Sequence, residues 1–121
     1  MSKGRILVID DEEIIRISCR RALEPLGLRV DVARDGPEAL RMLREGSYQV
    51  VLTDLKMPGM DGLEVLKEIR HLSPHSRVIV ITGYSTTETA VRAMREGAFN
   101  YLEKPFSPQA LREAVKEALG Q

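Results

Sequence analysis

Three short runs of apolar residues constrain the fold of this chain more than any other feature of its sequence. They occupy positions 6–9, 50–52 and 78–81, and no polar residue interrupts them. Their β-branched residues and the absence of polar–apolar alternation indicate strands buried on both faces, as in a parallel sheet covered by helices. Two weaker runs, 29–33 and 100–103, carry polar residues and suit the edges of the same sheet.

Segments with helical periodicity separate these strands. Capping boxes at 61–64 and 85–88 and a Ser-Pro pair at 107–108 mark predicted helix starts. The apolar positions of the fourth helix are Ala90, Val91 and Met94. The alternation predicts one domain over 1–121 with a flavodoxin-like (βα)5 fold. This α/β fold is a three-layer sandwich whose parallel five-stranded sheet has the order 2-1-3-4-5.

The composition excludes several classes of function. The chain has 121 residues, with 18 Lys+Arg and 18 Asp+Glu, so its formal net charge is zero. This balance argues against direct nucleic-acid binding, which normally needs a basic surface. No apolar run approaches the roughly 20 residues of a membrane span. The single cysteine, Cys19, excludes an internal disulfide and favours a reducing cytoplasm. We expect Cys19 to be buried, and His71 and His75 to be exposed.

Polar residues follow the central strands at the points where those strands end. They are Asp10 and Asp11 after the first strand, Asp54 at the end of the third, Thr82 at the end of the fourth and Lys104 after the weak fifth. Neighbouring parallel strands lie about 4.8 Å apart, so these side chains are predicted to converge. Carboxylates suit Mg²⁺, and an aspartate beside the metal can attack phosphorus, with Lys104 offsetting the phosphoryl charge. The constellation predicts a phosphorylation site.

Four motifs in this arrangement span nearly the whole chain. They are Val-Ile-Asp-Asp-Glu at 8–12, Thr-Asp-Leu-Lys-Met-Pro-Gly-Met-Asp-Gly at 53–62, Ile-Thr-Gly at 81–83 and Lys-Pro-Phe at 104–106. Together they resemble the receiver domains of two-component response regulators. The resemblance implies a signalling switch that catalyses only its own phosphorylation and dephosphorylation. Its phosphoacceptor would be Asp54, and the donor would be the histidine of a sensor kinase.

The resemblance also implies a magnesium site. Asp11 and Asp54 would bind Mg²⁺ directly, together with the main-chain carbonyl of Lys56, and Asp10 would reach the ion through water.

A second set of residues would respond to the phosphate. Lys104 would pair with it, and the Lys104–Pro105 peptide bond would be cis. Thr82 and Tyr101 would form a switch pair in which the hydroxyl moves to the phosphate and the ring turns inward.

Lys56 and Tyr84 would tune the chemistry by overhanging the phosphate. A bulky Tyr84 would block the hydrolytic water, and we therefore expect a long-lived phosphoaspartate.

The stretch 83–98 is similar to receivers of nitrogen-regulation type, whose output is an ATPase that activates transcription with an alternative sigma factor. The resemblance implies a C-terminal output domain, outside this chain, or a stand-alone regulator. The charged residues Arg92, Arg95 and Glu96 fit either a solvated helix face or a partner surface. The family uses the fourth helix, fifth strand and fifth helix for homodimers, and the resemblance implies such a dimer as the second alternative. We expect no direct contact with nucleic acid or membrane.

Two alternatives share part of this chemistry. A phosphatase of the haloacid-dehalogenase type also forms an aspartyl phosphate with Mg²⁺, but its nucleophile follows the first strand in an Asp-x-Asp pattern. Here Asp10 and Asp11 are adjacent, and 121 residues leave no room for the cap insertion of that class. A flavodoxin-like cofactor binder needs a phosphate loop after the first strand, where the acidic residues 10–13 would repel phosphate.

Overall fold

Five parallel strands form the central sheet of the computed structural model, which describes residues 4–57, 59–83 and 87–120. They are β1 (Arg5–Ile9), β2 (Arg29–Ala33), β3 (Val50–Asp54), β4 (Arg77–Thr82) and β5 (Asn100–Glu103). Their order is β2-β1-β3-β4-β5, with every neighbouring pair parallel. This confirms the predicted topology, with the three apolar strands in the centre and the two polar strands at the edges.

Five α-helices connect and follow the strands. They are α1 (Glu13–Leu23), α2 (Gly36–Glu45), α3 (Gly62–Leu72), α4 (Thr87–Arg95) and α5 (Pro108–Ala118). Ser107 caps α5 by accepting a hydrogen bond from the Ala110 N–H. The predicted helix start at Asp61 is confirmed, although its side chain accepts from the Leu63 N–H and not from the Glu64 N–H that a capping box would use. The box at 85–88 falls partly on residues 85 and 86, which lie outside the described residues.

The strand residues alternate between two helical layers. Leu7 and Ile9 face the core beneath α2, α3 and α4, whereas Ile6 and Val8 face the core beneath α1 and α5. Because both faces of β1 are covered, the strand needs no polar position, which explains its uninterrupted apolar run. None of the helices in the described part of the chain is long and apolar enough to cross a membrane.

Helix α4 departs from its expected orientation. Ala93 is buried, whereas Val91 and Met94 are 42% and 47% exposed. The helix meets the core along a narrow stripe that suits a small side chain, so its larger apolar residues point to solvent. The expectations for Cys19, which is buried, and for His71 and His75, which are exposed, are confirmed.

Candidate functional site

The carboxyl edge of the sheet places a lysine between two buried carboxylates. Lys104, which follows β5, has its Nζ 2.8 Å from Asp10 Oδ2 and 2.9 Å from Asp54 Oδ2. Asp10 follows β1 and is 0% exposed, and Asp54 ends β3 and is 4% exposed. The parallel sheet therefore brings together three of the strand-end residues that lie far apart in the sequence.

Acidic groups outnumber the lysine at this edge. Carboxylate oxygens of Asp10, Asp11, Glu12 and Asp54, which we call the acidic cluster, all lie within 4.8 Å of one another. Lys104 supplies one positive charge against these four carboxylates. Asp11 and Glu12 are exposed, so the cluster opens to solvent on one side. Closely spaced carboxylate oxygens with an excess of negative charge are a ligand set that suits a hard divalent cation.

The electrostatics of the buried pair differ between its members. Burial raises the pKa of Asp10 and outweighs the opposing contact with Lys104. Burial alone would lower the pKa of Lys104, but its hydrogen bonds to Asp10 and Asp54 outweigh that effect and raise it above the usual value. Lys104 is therefore charged at neutral pH and remains available to an anion.

The two buried aspartates are oriented in the same way. Asp54 Oδ1 accepts a hydrogen bond from the Lys56 N–H at 3.0 Å, and Asp10 Oδ1 accepts one from the Glu12 N–H at 2.9 Å. In each case the other carboxylate oxygen faces Lys104. These short turns use the main chain two residues further on to set the side-chain direction, so the carboxylates are ordered without help from a ligand.

A close approach of main chain shapes the loop after β3. A short antiparallel ladder pairs Lys56–Met57 with Met60–Asp61, and α3 begins directly afterwards at Gly62. A Cβ at Gly62 would overlap the Leu55 backbone, so glycine is required there. The loop thereby returns beside Asp54, and the Lys56 main chain stays next to the carboxylate.

Thr82 and Tyr101 occupy different environments. Thr82 ends β4 and is buried, and its main-chain carbonyl accepts a hydrogen bond from the Lys104 N–H at 2.9 Å. The Tyr101 ring packs against the core, and its buried Oη has no hydrogen-bond partner among the residues that the structure describes. Burial and the nearby Glu103 raise the pKa of this tyrosine. The Lys104–Pro105 peptide bond is cis, and Tyr84 lies outside the described residues.

Two site residues were not identified from the sequence. Glu12 Oε1 lies 3.3 Å from Lys104 Nζ, and Arg16 Nη1 donates to the main-chain carbonyl of Asp10 at 2.7 Å. The run of acidic residues at 10–13 could have identified Glu12 as a site residue. Arg16 gave no such signal, because an arginine on the polar side of an amphipathic helix is ordinarily solvated.

Comparison with known proteins assigns this arrangement to a family. The sequence model of one protein family, the response regulator receiver domain, matches residues 6–116 of this chain. The chain belongs to the response regulator receiver family. Receiver domains act in general as phosphorylation-dependent switches of an output domain.

The relatives of this receiver domain include regulators of nitrogen-regulation type. It is 40% identical over 119 residues to the DNA-binding transcriptional regulator NtrC of Escherichia coli K12, covering 98% of this chain and 25% of that protein. The chain thus spans about a quarter of the length of the curated relatives that it matches.

Solved structures agree with this assignment. A receiver domain from Clostridium thermocellum has a TM-score of 0.89 at 42% identity, covering 97% of this chain and 94% of the other. The beryllofluoride-activated NtrC4 receiver domain dimer has a TM-score of 0.91 at 40% identity, covering 96% of each chain.

Proposed function

We propose that Asp54 accepts a phosphoryl group from the phosphohistidine of a sensor kinase and that the product changes the surface of the domain. The observation that carries this proposal is the position of Asp54, buried at a strand end and 2.9 Å from the Lys104 ammonium. Burying a carboxylate costs stability unless it is paired, and here the Lys104 ammonium and the Lys56 N–H pair with Asp54 and orient it at the open edge of the sheet.

The transfer itself is a displacement at phosphorus. An Asp54 carboxylate oxygen attacks, the P–N bond to the imidazole breaks, and the nitrogen leaves with the electron pair of that bond. The other ring nitrogen already carries a proton, so the leaving group is neutral imidazole. The product is an acyl phosphate. Lys104 offsets the negative charge that accumulates on the phosphoryl oxygens, and its fixed place beside Asp54 means that little reorganisation is needed.

The donors of the acidic cluster fit Mg²⁺, because all of them are carboxylate oxygens with a net negative charge. Asp11, Asp54 and the main-chain carbonyl of Lys56 would hold the ion, with Asp10 reaching it through water. When bound, it would supply charge neutralisation for the phosphoryl oxygens.

The switch would involve Thr82 and Tyr101. Phosphorylation adds roughly −1.5 to −2 charge, which the Thr82 hydroxyl would approach as a hydrogen-bond donor. The Tyr101 ring already packs against the core with a buried Oη, so a small movement at Thr82 is expected to change its packing. The tuning roles of the Lys56 side chain and Tyr84 remain predictions.

The partners follow from the same proposal. The exposed Val91 and Met94 on α4 support a homodimer through the face formed by α4, β5 and α5, and a dimer is the state named for the NtrC4 receiver. The greater length of the relatives supports an output domain outside this chain. The cytoplasmic location expected from the single cysteine also remains a prediction.

The central test is incorporation of phosphate into the intact protein. Incubation with Mg²⁺ and a small acyl phosphate is expected to add one acid-stable, base-labile phosphoryl group, detected by intact mass. Asp54→Ala is expected to abolish it, and Asp35→Ala is the matched control because Asp35 also follows a strand but lies outside the acidic cluster. Phosphate in Asp54→Ala, or continuous turnover of unrelated phosphate esters, would contradict the proposal.

A further inference from the structure

Arg16 contacts the site from outside the acidic cluster. It lies in the first half of α1, is half-buried, and its Nη1 donates to the main-chain oxygen of Asp10 at 2.7 Å. A hydrogen bond from a charged donor to a carbonyl is stronger than a neutral one. The guanidinium thus binds the main chain at the point where β1 ends and the acidic cluster begins.

With this contact, hydrogen bonds restrain Asp10 at its N–H, at its side chain and at its main-chain oxygen. The Asp10 N–H donates to the Ala33 oxygen at 3.1 Å, its Oδ1 accepts from the Glu12 N–H at 2.9 Å, and its main-chain oxygen accepts from Arg16. The main-chain oxygen is the informative one, because it belongs to the planar peptide group that joins Asp10 to Asp11. Restraining that plane fixes the Asp11 N–Cα bond and so limits the directions in which the Asp11 side chain can leave the backbone.

Asp11 needs such a restraint more than the other aspartates do. Asp10 and Asp54 are buried and oriented by their own turns, whereas Asp11 is exposed. We infer that Arg16 is a positioning residue for the cation site: it holds the Asp10–Asp11 peptide so that the Asp11 carboxylate faces the acidic cluster. This inference rests on the proposed function, because it assumes that the cluster binds a divalent cation.

The charge and the hydrogen bond of Arg16 predict opposite results. A guanidinium repels a nearby cation, so a purely electrostatic role means that removing Arg16 tightens metal binding. A positioning role means that removing it weakens binding, by about tenfold if it resembles other residues that orient metal ligands. The sign of the change therefore separates the two roles.

The experiment measures Mn²⁺ binding to the full chain by the loss of the free Mn²⁺ paramagnetic resonance signal. Mn²⁺ is used because it takes the same carboxylate ligands as Mg²⁺. Arg16→Met retains the aliphatic stem but neither donor nor charge, and its Kd is expected to rise about tenfold. Arg16→Lys restores a donor and is expected to give an intermediate Kd.

Arg20→Met is the matched control. Arg20 lies one turn further along α1 and makes the same kind of contact, from Nη2 to the Val30 main-chain oxygen at 2.9 Å, but on β2. We expect its loss to leave the Mn²⁺ Kd unchanged, while thermal unfolding shows comparable losses of stability for the two methionine variants.

Several outcomes would overturn the inference. They are an unchanged or tighter Kd in Arg16→Met, an equal weakening in Arg20→Met, and a Kd for Arg16→Lys no better than that for Arg16→Met. If Arg16→Met does not fold, Arg16→Gln, which has no charge and a shorter reach, takes its place, and a Kd tighter than that of the wild type would overturn the inference. A wild-type protein that binds no Mn²⁺ would instead refute the proposed cation site itself, and the two failures are therefore distinguishable.

Discussion

The two ends of the sheet treat buried polar groups in opposite ways. At the amino end, Ser73 and Ser76 are buried, their hydroxyls lie 2.6 Å apart, and Ser76 Oγ donates to the Tyr48 main-chain oxygen at 2.6 Å. These neutral groups satisfy one another. At the carboxyl end, Asp10 and Asp54 are buried among further acids with one lysine between them. The same core thus contains a neutral polar network that supports folding and a charged one that we propose binds a cation.

The two ends of the sheet differ in how much uncompensated charge they contain. The serine chain ties the loop before β4 to the loop before β3 and leaves no charge. The acidic cluster keeps more negative charge than Lys104 neutralises, and such charge opposes folding unless a cation binds. Substitutions in the serine network should therefore lower stability without affecting phosphorylation. Substitutions of carboxylates in the acidic cluster should impair phosphorylation without lowering stability.

The largest effect is expected at the amino end. Ser76→Ala removes the donor to Tyr48 and the partner of Ser73, and the free energy of unfolding should fall by about 1–3 kcal/mol. Urea denaturation measures the loss. Ser47→Ala is the control, because the exposed Ser47 hydroxyl hydrogen-bonds to the exposed His75 ring, and this variant should lose less than about 0.5 kcal/mol. Equal losses in the two variants would contradict a stabilising role for the buried serine network.

The next effect has the opposite sign. Asp10→Asn keeps one acceptor oxygen for the Glu12 N–H and removes a buried charge. Its amide nitrogen cannot accept from Lys104, but Lys104 retains Asp54 and Glu12 as partners. With metal removed by a chelator, we expect the free energy of unfolding at pH 7 to rise by about 0.5–2 kcal/mol. Mn²⁺ binding should weaken in the same variant.

The pH dependence of this gain follows from the raised pKa of Asp10. At neutral pH the unfolded wild-type chain ionises Asp10 more readily than the folded chain does, so ionisation destabilises the fold. The advantage of Asp10→Asn should be full above the folded pKa and should vanish as the pH falls towards the unfolded value of roughly 3.9. An advantage that persists at low pH would show that charge is not its cause.

The topology and the strand-end residues of the site were predictable because they depend on periodicity and on a property of all parallel sheets. The apolar run at 6–9 required cover on both faces, and the carboxyl ends had to share an edge. The contact of Arg16 with Asp10 was not predictable, because it depends on how one side chain crosses a helix turn. The exposure of Met94 was also missed, because periodicity identifies an apolar stripe without giving the width of the core beneath it.

A smaller loss of stability is expected from a substitution near the amino end of the edge strand β2. Tyr48 Oη donates to Asp31 Oδ2 at 2.7 Å, and Arg5 Nη2 lies 3.2 Å from the same oxygen. Burial and Asp31 raise the pKa of Tyr48 to about 12, so the phenol remains a donor at neutral pH. Tyr48→Phe should therefore lower the free energy of unfolding by about 0.5–1.5 kcal/mol.

This loss should also depend on pH. Burial alone would raise the pKa of Asp31, but hydrogen bonds from Tyr48 and Arg5 outweigh it and lower the pKa. The stabilisation is present above the unfolded value of roughly 3.9 and is lost as the pH falls through the lower folded value. Urea titrations of wild type and Tyr48→Phe should converge in that range; a constant difference would mean that the hydroxyl acts without the carboxylate.

The smallest effect on folding is expected on α4, the helix that follows the carboxyl end of β4. Because Val91 and Met94 are exposed, replacing both with serine should change the free energy of unfolding by less than about 0.5 kcal/mol. The same variant should weaken self-association of the phosphorylated domain in sedimentation experiments, whereas Ile14→Ser, at an exposed position on α1, should not. A stability loss above that range would place these side chains in the folded core. Unchanged association would mean that α4 is not part of the dimer interface. Phosphorylation at the carboxyl end of the sheet would then have to control a partner through another surface.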